Sequence, residues 1–372
     1  MKKVLMIGPD RTVQGGVSGV VNNYYKVGLD KKVELKYIGT MVDGSKFTKL
    51  IKAITSYLAF RSCLKDYDIV HIHMASDASY YRKSFFIKAA VKAKKKIVIH
   101  QHGGDVQNFY GKMTGKKRAK MAALLNKCDA FIVLAPFLYD FFKDIIDNDK
   151  LHIIPNSVAA PDFDMDKKDY DNQNILFLGR ICKAKGINEL VTAAEHLHEK
   201  YPDMKLTLGG FFEDEDLKEK CLSHPDYIEC PGWIKGSDKD KLLEESSIFI
   251  LPSYFEGMPL SPIEAMYFGC ANCNSAISGT LQIFDSPLMV SGDFADSDNS
   301  AMTQDLIDSE NAYDSLFFNP KDVVSLESAL DLLLCSAELR KKIGTCGRKT
   351  VDKKYDLNKI VADVCKIYDE IV

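Results

Sequence analysis

Ile248-Phe249-Ile250-Leu251 is an unbroken apolar run, and a few residues later the chain reads Phe255-Glu256-Gly257-Met258-Pro259-Leu260-Ser261-Pro262-Ile263-Glu264-Ala265-Met266. A run apolar at every position fits a strand covered on both faces, the condition of a parallel sheet. Residues 261–268 predict a helix, so the stretch reads strand, loop, helix, which is half of a βαβ unit. The same alternation extends in both directions. Short apolar runs at residues 4–7, 33–38, 69–73, 97–100, 130–134, 151–154, 175–178, 205–208 and 316–318 predict strands. Residues 186–201 and 323–334 predict helices. At the far end, Ile360, Val361, Val364, Ile367, Tyr368 and Ile371 give residues 357–372 the spacing of an amphipathic helix.

A chain of 372 residues, 46% hydrophobic, exceeds one ordinary core and supports two. Two doubly wound, Rossmann-like α/β domains are therefore expected. Composition turns polar over residues 159–174, which places the domains at 1–165 and 172–356. No apolar stretch reaches the roughly eighteen residues a membrane-spanning helix needs. The opening Met1-Lys2-Lys3 is followed by only four apolar residues before Gly8-Pro9-Asp10, too few for a secretory h-region, so a cytoplasmic location is expected. Ten scattered cysteines predict packing rather than disulfides, Cys270-Ala271-Asn272-Cys273 included.

A net charge of −3 conceals an asymmetry: residues 1–160 hold 27 Lys+Arg against 13 Asp+Glu, and residues 161–372 hold 22 against 39. A basic first half implies an anionic partner, such as a membrane surface or a pyrophosphate.

Chemistry concentrates in a few places. Gln14-Gly15-Gly16-Val17 lies between a strand and a helix, where paired glycines let backbone approach an anion, although the spacing is not that of a dinucleotide fingerprint. Gly179-Arg180 follows a strand, and Lys185-Gly186 opens the next helix, placing two cations where a diphosphate could be neutralised. Glu256 and Glu264 stand eight positions apart, one in a loop and one in a helix, with the Gly257–Leu260 backbone at the helix start between them. His71 and His73 are expected to divide between a cleft and a core, and of His100 and His102 only the latter is favoured for ligand contact. The Asp-x-Asp pairs at 164/166 and 238/240 read as solvated surface, so no metal site is expected.

Glu256 and Glu264, with Gly15-Gly16-Val17, His102-Gly103-Gly104-Asp105, Pro155-Asn156-Ser157-Val158, Gly179-Arg180 and Lys185-Gly186 in order, resemble the E-x7-E pattern of retaining nucleotide-sugar glycosyltransferases of GT-B fold, above all glycosyltransferase family 4. The resemblance implies two Rossmann-like domains facing a central cleft, with the helix 357–372 crossing back to the first. It implies that Arg180 and Lys185 bind the donor diphosphate, that Glu264 holds ribose, and that Glu256 contacts the transferred sugar beside Gly257, Met258 and Leu260. By the same resemblance His102 lies near that sugar, and Gly15 and Gly16 approach the phosphates. The donor is then a nucleotide diphosphate sugar. The acceptor is a glycan hydroxyl, carried on a polyprenyl diphosphate, and neither metal, cofactor nor nucleic acid is required. A phosphorylase or sucrose-synthase-like reaction, or a sugar-nucleotide sensor without turnover, are the competing readings. Ser278-Gly279-Thr280-Leu281 departs from the family's Gly-x-Pro-Glu-like turn, and about thirty polar residues (285–314) follow as a lid, an acceptor loop or a decoration.

Phe47, Leu50, Ile51, Ile54 and Leu58 fall at helical spacing among Lys46, Lys49, Lys52, Arg61 and Lys65. An apolar stripe edged by cations suits a helix lying on an anionic membrane, with the basic residues 112–127 adding to the same face. The protein is thus expected in the cytoplasm, peripheral on the inner membrane face.

Overall fold

The computed structural model describes residues 1–291 and 299–372 and divides the chain into two compact units. The first comprises Met1–Ala159 with Tyr355–Val372; the second is Ala160–Lys354.

In the first unit six parallel strands lie in the order β2-β1-β3-β4-β5-β6: β1 (Lys3–Gly8), β2 (Glu34–Gly39), β3 (Ile69–Met74), β4 (Lys96–Gln101), β5 (Ala130–Val133) and β6 (Leu151–Ile153). β1, β3, β4 and β5 are buried almost throughout, as helices on both faces demand. The helix Leu357–Ile371 belongs to this unit. It buries Ile360, Val361, Val364, Ile367 and Tyr368, and the Lys2 ammonium donates to the Tyr368 carbonyl at 2.7 Å.

Seven parallel strands form the second sheet, in the order β12-β13-β11-β10-β7-β8-β9. These are β7 (Asn174–Leu178), β8 (Lys205–Gly209), β9 (Ile228–Gly232), β10 (Ile248–Leu251), β11 (Ala271–Ser275), β12 (Pro287–Met289) and β13 (Ser315–Phe318). The helix Ile187–Lys200 packs Ile187, Leu190, Val191, Ala194 and Leu197 into the core. Asp322 caps the helix Val323–Leu334, accepting from the Val324 and Ser325 amides at 3.1 and 3.3 Å.

Two features differ from expectation. Ala271-Asn272-Cys273-Asn274-Ser275 is an interior strand, every residue buried; Asn274 donates to Ser315 at 3.0 Å, which lets polar side chains sit where apolar ones are expected. Cys270 and Cys273 of that segment are buried free thiols, in line with the expected packing role. Second, the polar stretch 285–314 contains β12 and the helix Asn299–Asp308, rather than loop alone, while its residues 292–298 lie outside the described residues.

Candidate functional site

In the second unit the candidate residues gather where β7 and β10 end. Lys183–Lys185 forms a tight 3-10 turn closed by Gly186 at φ 67°. A Cβ on Gly186 would lie 2.1 Å from the Pro252 carbonyl oxygen, so glycine is needed both for conformation and for close approach. The Tyr254 amide donates to the Ala184 carbonyl at 3.0 Å, docking this turn on the loop after β10. As a result Lys185 forms an ion pair with Glu256, whose Oε1 also accepts from the Ser253 hydroxyl at 2.8 Å. Both partners are secluded, 17% and 14% exposed, so each charge depends on the other.

Arg180 donates through Nη1 to both oxygens of Glu213, at 2.9 and 3.2 Å, while remaining half exposed. Burial works against its charge, yet Glu213, helped by Glu256, holds the guanidinium above its ordinary value. Glu264 lies in the helix Leu260–Tyr267 and binds the Lys239 ammonium at 2.5 Å. The residue before that helix is Pro259, which makes no side-chain cap, and the entry runs through Gly257 and Met258. A carboxylate in the loop before this helix and one in its second turn are thus each held by a lysine.

The sequence does not single out Lys239, the middle residue of the Asp238-Lys239-Asp240 triplet that reads as solvated surface; the structure places it in the helix Ser237–Glu245. Asp238 is exposed, and it is the lysine that reaches the site. The unusual turn Ser278–Leu281 also has a place here: a Cβ on Gly279 would come within 2.2 Å of the Glu256 carbonyl oxygen, so this turn backs the loop that carries Glu256.

The first unit holds the remaining candidates. Gly15 precedes and Gly16 begins the helix Gly16–Lys26, and a Cβ on either would meet nothing within 4 Å. Ser157, in the Pro155–Val158 segment, accepts at its carbonyl from Asn23 at 3.2 Å, tying that segment to the same helix. Gly103 is packed tightly, with a Cβ position 2.9 Å from the Ser76 hydroxyl.

The histidines require a correction. With a strand period of two, His71 and His73 point to the same face, and both are buried. His73 registers opposite His100, so His71, His73, His100 and His102 form one stacked group, with successive ring centroids 4.2–5.1 Å apart. His73 Nδ1 meets His102 Nε2 at 2.8 Å, and His71 pairs with the Tyr368 hydroxyl. Desolvation drives His71 down to about 3 and lowers the other three as well. Ring nitrogens of His71, His73 and His100 lie within 4.8 Å of one another. Their rings are stacked rather than convergent and desolvation is the main force on His73, an environment suited to neutral imidazoles. Of the other histidines, His196 pairs with Glu327 at 2.7 Å and His224 with Glu195 at 2.9 Å.

Two nested α/β units with paired acids and cations at strand ends define a class, the two-domain proteins that bind nucleotides beside parallel sheets. Known proteins make this particular. The family model described as Glycosyltransferase Family 4 matches residues 27–160, and that described as Glycosyl transferases group 1 matches residues 162–309. The chain therefore belongs to the GT-B glycosyltransferases of this family 4 and group 1 type. An uncharacterized glycosyltransferase of Haemophilus influenzae is 28% identical over 199 residues, covering 52% of this chain and 55% of its own, so the chain spans about half the length of that relative. UDP-Gal:alpha-D-GlcNAc-diphosphoundecaprenol alpha-1,3-galactosyltransferase of Escherichia coli is 26% identical over 299 residues, 70% of each chain. Among solved structures, Anabaena HepE in complex with UDP and glucose shares the fold at a TM-score of 0.70 and 13% identity, over 99% of this chain and 100% of its own. Among the described residues, no helix is long and apolar enough to cross a membrane.

Proposed function

We propose that this protein is a retaining, metal-independent glycosyltransferase. It moves a hexose-type sugar from a nucleotide diphosphate sugar to a hydroxyl of a lipid-linked glycan, at the cytoplasmic face of a membrane where cell-surface polysaccharide is assembled. The observation that carries the reading is the pair of lysine-held carboxylates, Lys185–Glu256 and Lys239–Glu264, with Arg180 beside the first. Such pairs are displaceable. A diphosphate can draw Lys185 and Arg180 to itself, and ribose hydroxyls can take the place of the Lys239 ammonium on Glu264.

In the reaction, the bond from the anomeric carbon to the diphosphate oxygen breaks and the electron pair leaves with the nucleoside diphosphate, while the acceptor hydroxyl oxygen bonds that carbon on the same face and its proton passes to the departing phosphate. Arg180 and Lys185, with the helix start at Leu260 beside them, meet that growing charge, which is where preorganised donors lower a barrier most. Glu256, already fixed by Lys185 and Ser253, is an oriented acceptor for sugar hydroxyls. For the first unit, the family resemblance assigns His102 to the transferred sugar and Gly15 and Gly16 to close approach of a phosphate. With cations and amides meeting the leaving group, no metal is called for. The E. coli relative's undecaprenol-linked substrate supports a lipid-linked acceptor, and the UDP held by HepE makes UDP-sugars the first donors to try.

The test is transfer from a panel of nucleotide sugars to polyprenyl-diphosphate-linked acceptors, with the anomeric configuration of the product read by NMR and the assay repeated in EDTA. A retained configuration and unchanged rate in EDTA are expected. Inversion, loss of activity in EDTA, or donor binding with no transfer to any acceptor would each overturn its part of the reading, the last leaving a sensor. Transfer to phosphate or fructose instead of the glycan would move the protein to the phosphorylase or sucrose-synthase-like class.

A further inference from the structure

The helix Lys46–Cys63 turns Ser56, Phe60 and Cys63 inward, where Phe60 and Tyr57 pack edge-on against Phe86 of the helix Ala78–Lys92. Its apolar stripe therefore faces outward rather than onto the domain's own sheet. Phe47, Leu50, Ile51, Ile54 and Leu58 are all exposed, Phe47 by 70% and Leu58 by 62%. The stripe continues at the same spacing into the exposed cations Arg61 and Lys65. The neighbouring helix repeats this order along its outer face, with Tyr81 and Phe85 followed by Lys88 and Lys92, and Phe85 is 61% exposed.

Topology aligns these two stripes. Both helices carry the chain from the carboxyl end of one parallel strand to the amino end of the next, so they run in the same direction; β2 to β3 and β3 to β4 also step the same way across the sheet, which puts both helices on one face. The helix Gly115–Leu125, after β4, comes next on that face and exposes Lys116, Lys117 and Lys120. Large exposed side chains thus sit together toward one end of a face whose remainder is basic. Residues 46–127 hold 18 Lys+Arg against four Asp.

We infer that this three-helix face docks the first unit on an anionic lipid bilayer, with the Phe47–Leu58 stripe, Tyr81 and Phe85 entering the acyl boundary and the surrounding cations meeting headgroups. An eighteen-residue helix is about 27 Å long and offers its whole outer face to such a boundary. A second copy of the chain is the weaker occupant, because a self-complementary contact would set this cationic face against itself. Lys52 takes little part, since it is committed to Asp10 at 2.8 Å; the available cations are Lys46, Lys49 and Lys88. The inference deepens the lipid-linked acceptor reading and rests on it for its purpose, but docking is measured without donor or acceptor.

The experiment is co-sedimentation of the whole chain with phosphatidylcholine vesicles with and without phosphatidylglycerol. Binding is expected only to anionic vesicles at low salt, and release in about 1 M salt, which screens charges beyond about 3 Å. Lys46→Gln, Lys49→Gln and Lys88→Gln together should weaken binding on the order of a hundredfold. Ile51→Ser, Ile54→Ser and Phe85→Ser together should weaken it at least tenfold at low salt while leaving UDP binding and circular dichroism unchanged. Failure to bind anionic vesicles at low salt, or binding indifferent to the serine variant, overturns the docking face. A dimer in sedimentation velocity that the serine variant dissociates, with no vesicle binding, assigns the face to a second copy instead. Vesicle binding without sugar transfer would sink the acceptor reading and leave the docking face standing.

Discussion

Glu256 and Glu264 are the same residue type eight positions apart, and the proposed function sets them different tasks. On that proposal Glu264 gives up only its Lys239 contact when a ribose arrives, and ribose is present before and after transfer. Glu264→Gln should therefore weaken UDP binding in calorimetry, whereas Glu256→Gln should lower transfer and alter sugar preference with UDP affinity nearly unchanged; equal effects on UDP affinity would refute this division. Arg180→Ala and Lys185→Ala should each reduce turnover by about 10²- to 10³-fold, the usual loss, about 2.7–4 kcal/mol, when one transition-state donor is removed. Lys185→Ala also leaves Glu256 secluded without its cation, so circular dichroism must accompany its rate. Near-parental rates in both alanine variants would show that the leaving group is met elsewhere.

At the scale of strands and helices, much of the first unit was legible, because a strand buried on both faces is apolar at every position and periodicity finds it directly, as with Val4-Leu5-Met6-Ile7. Legibility failed where burial did not mean apolarity. β11 carries Asn272 and Asn274 into the interior, and its hydrogen bonds to Ser315 belong to a strand forty residues away, which no local window contains. The helix Ala337–Lys354, so rich in Lys and Arg, escaped for the opposite reason: it needs few apolar residues because Gly344 lets it approach the Gly269 backbone closely. At the site, the two glutamates and Lys185 are legible in the sequence but Lys239 is not, since its pairing with Glu264 is a fact of folding.

The histidine stack on β3 and β4 makes the first unit's stability depend on pH. Its pKa values are depressed, so below the unfolded value of about 6.5 the unfolded chain takes up protons that the folded chain refuses, down to about 3 for His71. Stability is then complete above pH 6.5 and is lost as pH falls, by up to about 1.4 kcal/mol per unit for each imidazole. Denaturant titrations between pH 7.5 and about 5 should show that loss, and His100→Leu should flatten its slope by about a quarter if four groups contribute. An unchanged slope would mean that the stack is protonated in the native protein.

Considered as a whole, the molecule is electrically divided, and the boundary between its basic and acidic parts lies near the change of unit at residue 160. The first unit is also discontinuous, since Tyr355–Val372 belongs to it and brings Tyr368 under the histidine stack. Deleting residues 357–372 should consequently expose the first unit and not the second. Hydrogen exchange should rise in β1 and β3 while β7, β8 and β10 stay protected; uniform loss of protection would contradict this.

That nesting also orders events at the ribosome. The second unit is a single uninterrupted stretch, Ala160–Lys354, and can close as soon as it emerges. The first sheet, although made earlier, lacks its last helix until 195 further residues have been translated, a delay on the order of ten to forty seconds at bacterial and eukaryotic elongation rates. Throughout that interval the surface that will receive Tyr368 is open to chaperones and proteases. Codon usage over residues 160–354 therefore sets how long the earlier-made unit waits to be finished.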